Sequence, residues 1–228
     1  CQVEQAIRPI DQHYAVSRLV CLENTHNRGG GSIYPLKNLE EICRLAKTRS
    51  LMVHLDGARL WNASMATGIK LSTYARWADS VSVCLSKGLG APVGSLIAGS
   101  KPFIERVHRF RKMFGGGMRQ AGILAAAGLY ALDHHLERLP EDHKKARQLA
   151  QGLARITGIT VDPEQVETNI VIFGNQGGMT APEIAEAMKK KGILIHAIDK
   201  SQIRLVTHLD VSLADVKKTL DSFKAVLG

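Results

Sequence analysis

The stretch Ser80 to Ser95, SVSVCLSKGLGAPVGS, joins two apolar runs through a lysine and a glycine-rich turn. Val81, Val83 and Leu85 read as a strand that stops at Ser86-Lys87-Gly88, and a second apolar run follows from Val93 to Ala98. This sets one lysine at the end of a buried strand, beside glycines that admit close backbone approach. A lysine held among apolar neighbours loses hydration, which favours its free amine, a nucleophile toward carbonyls. A strand-end lysine that snorkels to solvent is the alternative reading.

Working outward, short apolar runs alternate with helical patterns. Arg18–Leu22 and Leu51–Leu55 read as strands, like Val81–Leu85 and Val93–Ala98. Pro35 opens a helix whose apolar face is Leu36, Leu39, Ile42, Cys43 and Ala46. Such alternation predicts an α/β fold with a mostly parallel sheet and a ligand site at the carboxyl ends of its strands. From Lys101 the pattern turns helical, over Phe103–Met113, Ala121–Glu137 and Glu141–Ile156. Beyond it follow Thr168–Gly174 (strand), Ala181–Lys191 (helix), Ile193–His196 and Ile203–Thr207 (strands) and Leu213–Leu227 (helix). The expected division is a large domain over 1–139 and a smaller C-terminal α+β domain over 140–228.

Composition narrows the function classes. The 228 residues are 45% hydrophobic and 22% charged, as in a soluble globular protein. No apolar run approaches membrane-spanning length. The net charge is +9, with basic clusters at Arg106–Lys112, Lys144–Arg147 and Lys189–Lys191. Aromatics are only 5% and no nucleic-acid motif is present, so the charges are expected on solvated helix faces. The four cysteines lack zinc-type spacing and read as free thiols of a reducing compartment. A cytoplasmic setting is the expectation, with the mitochondrion as the alternative. The chain begins at Cys1 rather than Met, so an upstream segment, with any targeting peptide, is expected.

Several strand ends carry reactive groups. Asp56 closes one strand and Arg59 follows; a carboxylate beside a pyridine nitrogen keeps it protonated, and an arginine offers a fork for a carboxylate. Asp56 also suits a plain helix N-cap. Glu23-Asn24-Thr25-His26-Asn27 has five consecutive polar side chains after a strand, more than a turn needs, with Asx-turn capping as the alternative reading. Arg204 is a charge inside the apolar strand Ile203–Thr207 and requires a partner, either a substrate carboxylate or an internal Asp or Glu. Arg119 follows the Gly115-Gly116-Gly117 break at a helix start, and His13 is a candidate base or a surface histidine. Together these suit an amino-acid enzyme that uses pyridoxal 5′-phosphate (PLP) as a Schiff base on Lys87.

LENTHNRGGG (22–31), HLDGARLWNA (54–63), VSVCLSKGLGAPVGS (81–95), RKMFGGGMRQAG (111–122) and IRLVTH (203–208) resemble successive blocks of the low-specificity L-threonine aldolases. These belong to the aspartate-aminotransferase group of PLP enzymes, fold type I, and the resemblance spans nearly the whole chain. It implies that Lys87 carries the cofactor and that Asp56 partners the pyridinium nitrogen. Arg59 would lie near the ring oxygen and the substrate carboxylate, and Arg204 would bind that carboxylate. His13 would sit near the substrate hydroxyl, and Lys112 and Arg119 at the boundary between active site and subunit in a homotetramer. It further implies an N-terminal segment with a phosphate-binding Gly-Thr loop and a ring-stacking histidine, which this sequence lacks, so the shortened chain is expected to be poorly stable alone. The implied reaction cleaves L-threonine or L-allo-threonine, β-hydroxy amino acids, to glycine and acetaldehyde. The rival readings are a related β-eliminating lyase and an inactive, truncated subunit-interaction protein.

Overall fold

The computed structural model describes residues 2–228. Strands β1 (Leu19–Glu23), β2 (Met52–Asp56), β3 (Ser80–Cys84) and β4 (Ser95–Gly99) form one sheet in that spatial order. The first three are parallel, with Glu23 beside Asp56 and Asp56 beside Ser82, so their carboxyl ends align. β4 returns antiparallel and pairs Ser95 with Cys84. Residues 85–94 are too few for a crossover helix, so the chain can only turn back on itself here.

Helix α1 (Gln2–Ala6) precedes this sheet, α2 (Leu36–Thr48) links β1 to β2, and α3 (Leu60–Thr67) and α4 (Leu71–Ala75) link β2 to β3. α2 buries Leu39, Ile42, Cys43 and Ala46, four of the five positions expected of its apolar face. They pack on Leu22, Val53, Leu55 and Val81 of the sheet. Helices α5 (Lys101–Met113), α6 (Gly122–His134) and α7 (Leu139–Leu153) follow. α5 buries none of its residues, all five residues of β4 are exposed, and Phe114 and Ile123 are 82% and 83% exposed.

The C-terminal sheet contains β5 (Ile159–Thr160), β6 (Ile170–Asn175), β7 (His196–Ala197) and β8 (Gln202–Val206), antiparallel in the order β5-β6-β8-β7. α7, α8 (Ala181–Lys190) and α9 (Leu213–Leu227) pack on it around Phe173 and Phe223, whose rings meet edge to face at 5.4 Å. The strand expected over Ile193–His196 is not formed as such. The Ile193 N–H donates to the Met188 carbonyl at 3.0 Å, and Gly192 adopts φ 76°, so this backbone closes α8 instead of joining the ladder. A third cluster, Leu85, Leu89, Ala91, Ala131 and Leu139, lies under the Lys87 loop.

The basic cluster at Lys144–Arg147 is not wholly solvated as expected. Lys145 is buried and lies 3.3 Å from the Asp142 carboxylate, which Arg138 also holds at 2.7 Å. Asp142 is fully buried, so it needs both cations to offset its lost hydration. Cys21, Cys43 and Cys84 are free thiols, while Cys1 lies outside the described residues. Burial pushes the Cys43 thiol up to about 11. Among the described residues no helix is long and apolar enough to cross a membrane.

Candidate functional site

The apolar layer of β3 ends at Leu85, and the chain then makes an exposed turn through Ser86 and Lys87. Lys87 is therefore not desolvated by this chain, contrary to expectation; its stem leaves the sheet beyond the last buried residue. The loop itself is held firmly. Trp61 Nε1 donates to the Cys84 carbonyl at 2.9 Å, and His135 Nδ1 lies 2.6 Å from the Leu89 carbonyl. A Cβ on Gly88 would come within 2.9 Å of Leu139 Cδ2 and 3.4 Å of Asn62 Nδ2, so glycine is what lets the backbone lie on α3 and α7 here. Behind it, His143 Nε2 meets Asn62 Oδ1 at 2.9 Å. Burial pushes the His143 imidazole down to about 4, so it is neutral near pH 7 and donates its Nε2–H to Asn62.

Lys87 lines a cavity of about 360 Å³ between the two sheets. Arg59, Ser86, Gly88 and Gly90 line it from the Lys87 side, and Asn169, Val206, His208 and Asp210 from the other. Arg59 follows β2 by three residues, in the turn that opens α3. Its guanidinium is held below its usual range, first by burial and then by the nearby charge of Arg204. Two guanidiniums whose charges are felt by one another suit an anion, most simply a carboxylate.

Arg204 projects from β8, where Nη1 donates to Asn27 Oδ1 at 2.9 Å. Its partner is thus a neutral amide from the Glu23–Asn27 stretch, and no ion pair to Arg204 occurs among the described residues. Its Nε is buried without a partner. The Asn27 loop is tied to the C-terminal sheet elsewhere too. Ile33 N–H donates to Glu167 at 2.5 Å, and Thr168 Oγ1 to the Gly31 carbonyl at 2.6 Å. Asp56 does not cap α3: the helix begins after Arg59 without a side-chain cap, and Asp56 Oδ1 accepts the Ala58 N–H at 3.0 Å in an Asx-turn.

Neither Asp56 nor Arg204 lines the cavity itself, and the remaining expected residues lie apart from it. His13 is exposed ahead of β1 and lies 3.3 Å from the Gln12 amide. Lys112, in the last turn of α5, and Arg119, three residues before α6, are both exposed. Sequence reasoning did not assign Asn169 or His208. The polar pair Thr168-Asn169 directly before an apolar strand is the one signal that marks the first, and His208 closes the IRLVTH block already singled out.

A primary amine, a guanidinium pair with an orphaned donor, and a carboxylate at a strand end fit an anionic carbonyl compound that condenses with the amine. Comparison with known proteins agrees. Residues 1–176 match the sequence profile of the Beta-eliminating lyase family. The chain belongs to that family. Within this family of lyases it is 44% identical over 229 residues to the low-specificity L-threonine aldolase 1 of Arabidopsis thaliana, covering 99% of this chain and 64% of the relative. It is also 44% identical to the low specificity L-threonine aldolase of Escherichia coli K12, covering 100% of this chain and 66% of the relative. The chain therefore spans about two thirds of the length of these curated relatives.

Among solved structures, a putative L-allo-threonine aldolase from Listeria monocytogenes superposes with a TM-score of 0.79 at 19% identity, over 98% of this chain and 64% of that one. The Leishmania major threonine aldolase gives 0.77 at 21% identity, over 99% and 66%. The fold type I α/β architecture expected from the sequence is the one observed.

Proposed function

We propose that the complete protein is a PLP-dependent carbon–carbon lyase that reversibly cleaves L-threonine or L-allo-threonine to glycine and acetaldehyde. The observation that carries this reading is the shared cavity of Lys87 and Arg59, with the charge of Arg204 felt at Arg59 from the other sheet. The names of the relatives, matched along nearly the entire chain, support it. PLP held by Lys87 would supply an electron sink for the pair released from the substrate Cα–Cβ bond.

The protein's own residues do the rest. Arg59 and Arg204 bind the substrate carboxylate, and Arg204 exchanges its neutral Asn27 partner for a charged one. That anchor would fix how the bound amino acid is turned about its Cα. Asp56 holds a proton at the ring nitrogen. His13, directly or through a water it positions, takes the β-hydroxyl proton as the Cα–Cβ bond breaks and acetaldehyde leaves. A proton then returns to Cα, giving glycine. Arg119 is assigned to the cofactor and Lys112 to the substrate across a subunit boundary. Their exposure, and the open apolar surfaces of β4, α5 and α6, support a homotetramer as the working assembly. The separate cores support two domains, 1–139 and 140–228, and the free thiols support a cytoplasmic setting.

PLP titration, borohydride reduction and mapping of the modified residue test the assignment. Label on Lys87, absent in Lys87→Ala, with acetaldehyde released from threonine by the complete protein, is the expected result. No acetaldehyde from a cofactor-loaded protein would sink it. The family's description favours one second reading, β-elimination on the same residues. Product analysis with threonine, phenylserine and serine separates the two.

A further inference from the structure

Asn27 and Arg204 are both half-buried, and the bond from Arg204 Nη1 to Asn27 Oδ1 is the one hydrogen bond to this guanidinium among the described residues. Asn27 is itself held from behind. Its N–H donates to Glu23 Oε1 at 3.2 Å. Its loop is closed at His26, whose N–H donates to the Ser32 carbonyl and whose carbonyl accepts the Gly31 N–H, both at 2.9 Å. Thr168 Oγ1, just ahead of β6, then pins the Gly31 carbonyl. The carboxamide therefore meets Arg204 from a fixed loop. A half-buried arginine is stabilised better by a carboxylate than by an amide. One stands nearby, since the charge of Glu23 is felt at Arg59. Its oxygens are engaged elsewhere, by the Asn27 N–H and 3.7 Å from His26 Nε2, and Arg204 is left facing a neutral group.

We propose that Asn27 is a positioning residue that fixes Arg204 without neutralising it, so that the choice of a carboxylate over an uncharged group at this site depends on Asn27 being an amide. The inference rests on reading Arg204 as an anchor of the substrate carboxylate. An arginine left in solvent would keep its charge but not its direction, and holding a long side chain in one geometry costs entropy that the ligand would then have to offset. An arginine held by an internal carboxylate would have direction but little charge to offer, and the ligand would have to displace an anion. Asn27 avoids both. The incoming carboxylate displaces only a neutral oxygen, and a charged hydrogen bond replaces a weaker neutral one.

The test titrates L-serine and L-serinamide, which differ at the carboxyl group, against the cofactor-loaded protein in the assembly it forms, following the cofactor's absorbance. The two also differ in amine basicity, which cancels when a variant is compared with the wild type. Asn27→Asp keeps the shape of the side chain, and Asn27 Nδ2 makes no hydrogen bond among the described residues that the change could break. The variant is expected to bind serine at least about tenfold more weakly and serinamide within about threefold of the wild type. Its thermal midpoint, measured without cofactor, is expected to be no lower, because an ion pair replaces a neutral bond. Weaker carboxylate binding at undiminished stability is a combination that a merely structural role does not produce. An unchanged serine affinity overturns the proposal, and so does a parallel loss of both ligands or a lowered midpoint. A protein that behaves as expected here but releases no acetaldehyde from threonine sinks the aldolase reading and leaves this one standing. No absorbance response to either compound in the wild type removes the amino-acid site and this proposal together.

Discussion

His143 and Asn62 sit beneath the Lys87 loop, and their bond depends on an imidazole kept neutral by burial. The unfolded chain binds a proton at this position below pH 6.5, while the folded chain binds it only near pH 4. Between those values the unfolded state holds more protons, so stability falls as the pH falls. The contribution is full above about 6.5 and is lost progressively toward 4, reaching roughly 3 kcal/mol. His143→Gln keeps a donor for Asn62 Oδ1 but does not titrate. Urea unfolding at pH 7 and pH 4.5 is expected to show a smaller loss of stability for this variant than for the wild type, by about 2 kcal/mol. Equal losses would mean that His143 is solvated. The same scale shows where sequence reading ran out. The apolar run before Lys87 predicts a dry lysine, but Ser86 and Lys87 are an exposed step between buried Leu85 and buried Gly88.

At the scale of elements, the helices of the C-terminal unit begin where local chemistry dictates. Thr180 and Ser212 each close a capping box. Thr180 Oγ1 accepts the Glu183 N–H at 3.4 Å, and Ser212 Oγ the Asp215 N–H at 3.1 Å, with both carboxylates reaching back. Thr180→Ala and Ser212→Ala are each expected to cost about 1 kcal/mol, read as a lower thermal midpoint with the fold retained. A shift in neither would show that core packing alone sets these helix starts. Leu213–Leu227 was legible to the residue because its cap, apolar period and end agree. The strand at Ile193 was not, since an apolar pattern cannot reveal that the Ile193 amide is already committed to the Met188 carbonyl. The reversal of β4 was readable in principle from the short 85–94 connection, a matter of chain length rather than propensity.

For the whole molecule, the alternation of runs was enough to place Asp56, Arg59 and Lys87 at the ends of neighbouring strands. What no local pattern could supply is the meeting of the two sheets, and with it Asn169 and His208 opposite Lys87. Beside the His143–Asn62 bond between α7 and α3, Ile33 to Glu167, Gly31 to Thr168 and Arg204 to Asn27 join residues 134, 137 and 177 positions apart. The buried residues of each of the two larger cores come from a contiguous part of the chain, within 22–81 and 146–223. Closing a long loop costs entropy before its contacts repay it, so short-range structure has the head start. The binding corner is accordingly expected to assemble last. In pulse-labelled hydrogen exchange during refolding, the Ile33 amide should gain protection after those of β6 and α9, and simultaneous protection would contradict this order. Each half of the molecule would then acquire its shape before the pair acquires its chemistry, and a newly made chain would pass through a stage at which it is largely folded and still unable to grip a ligand.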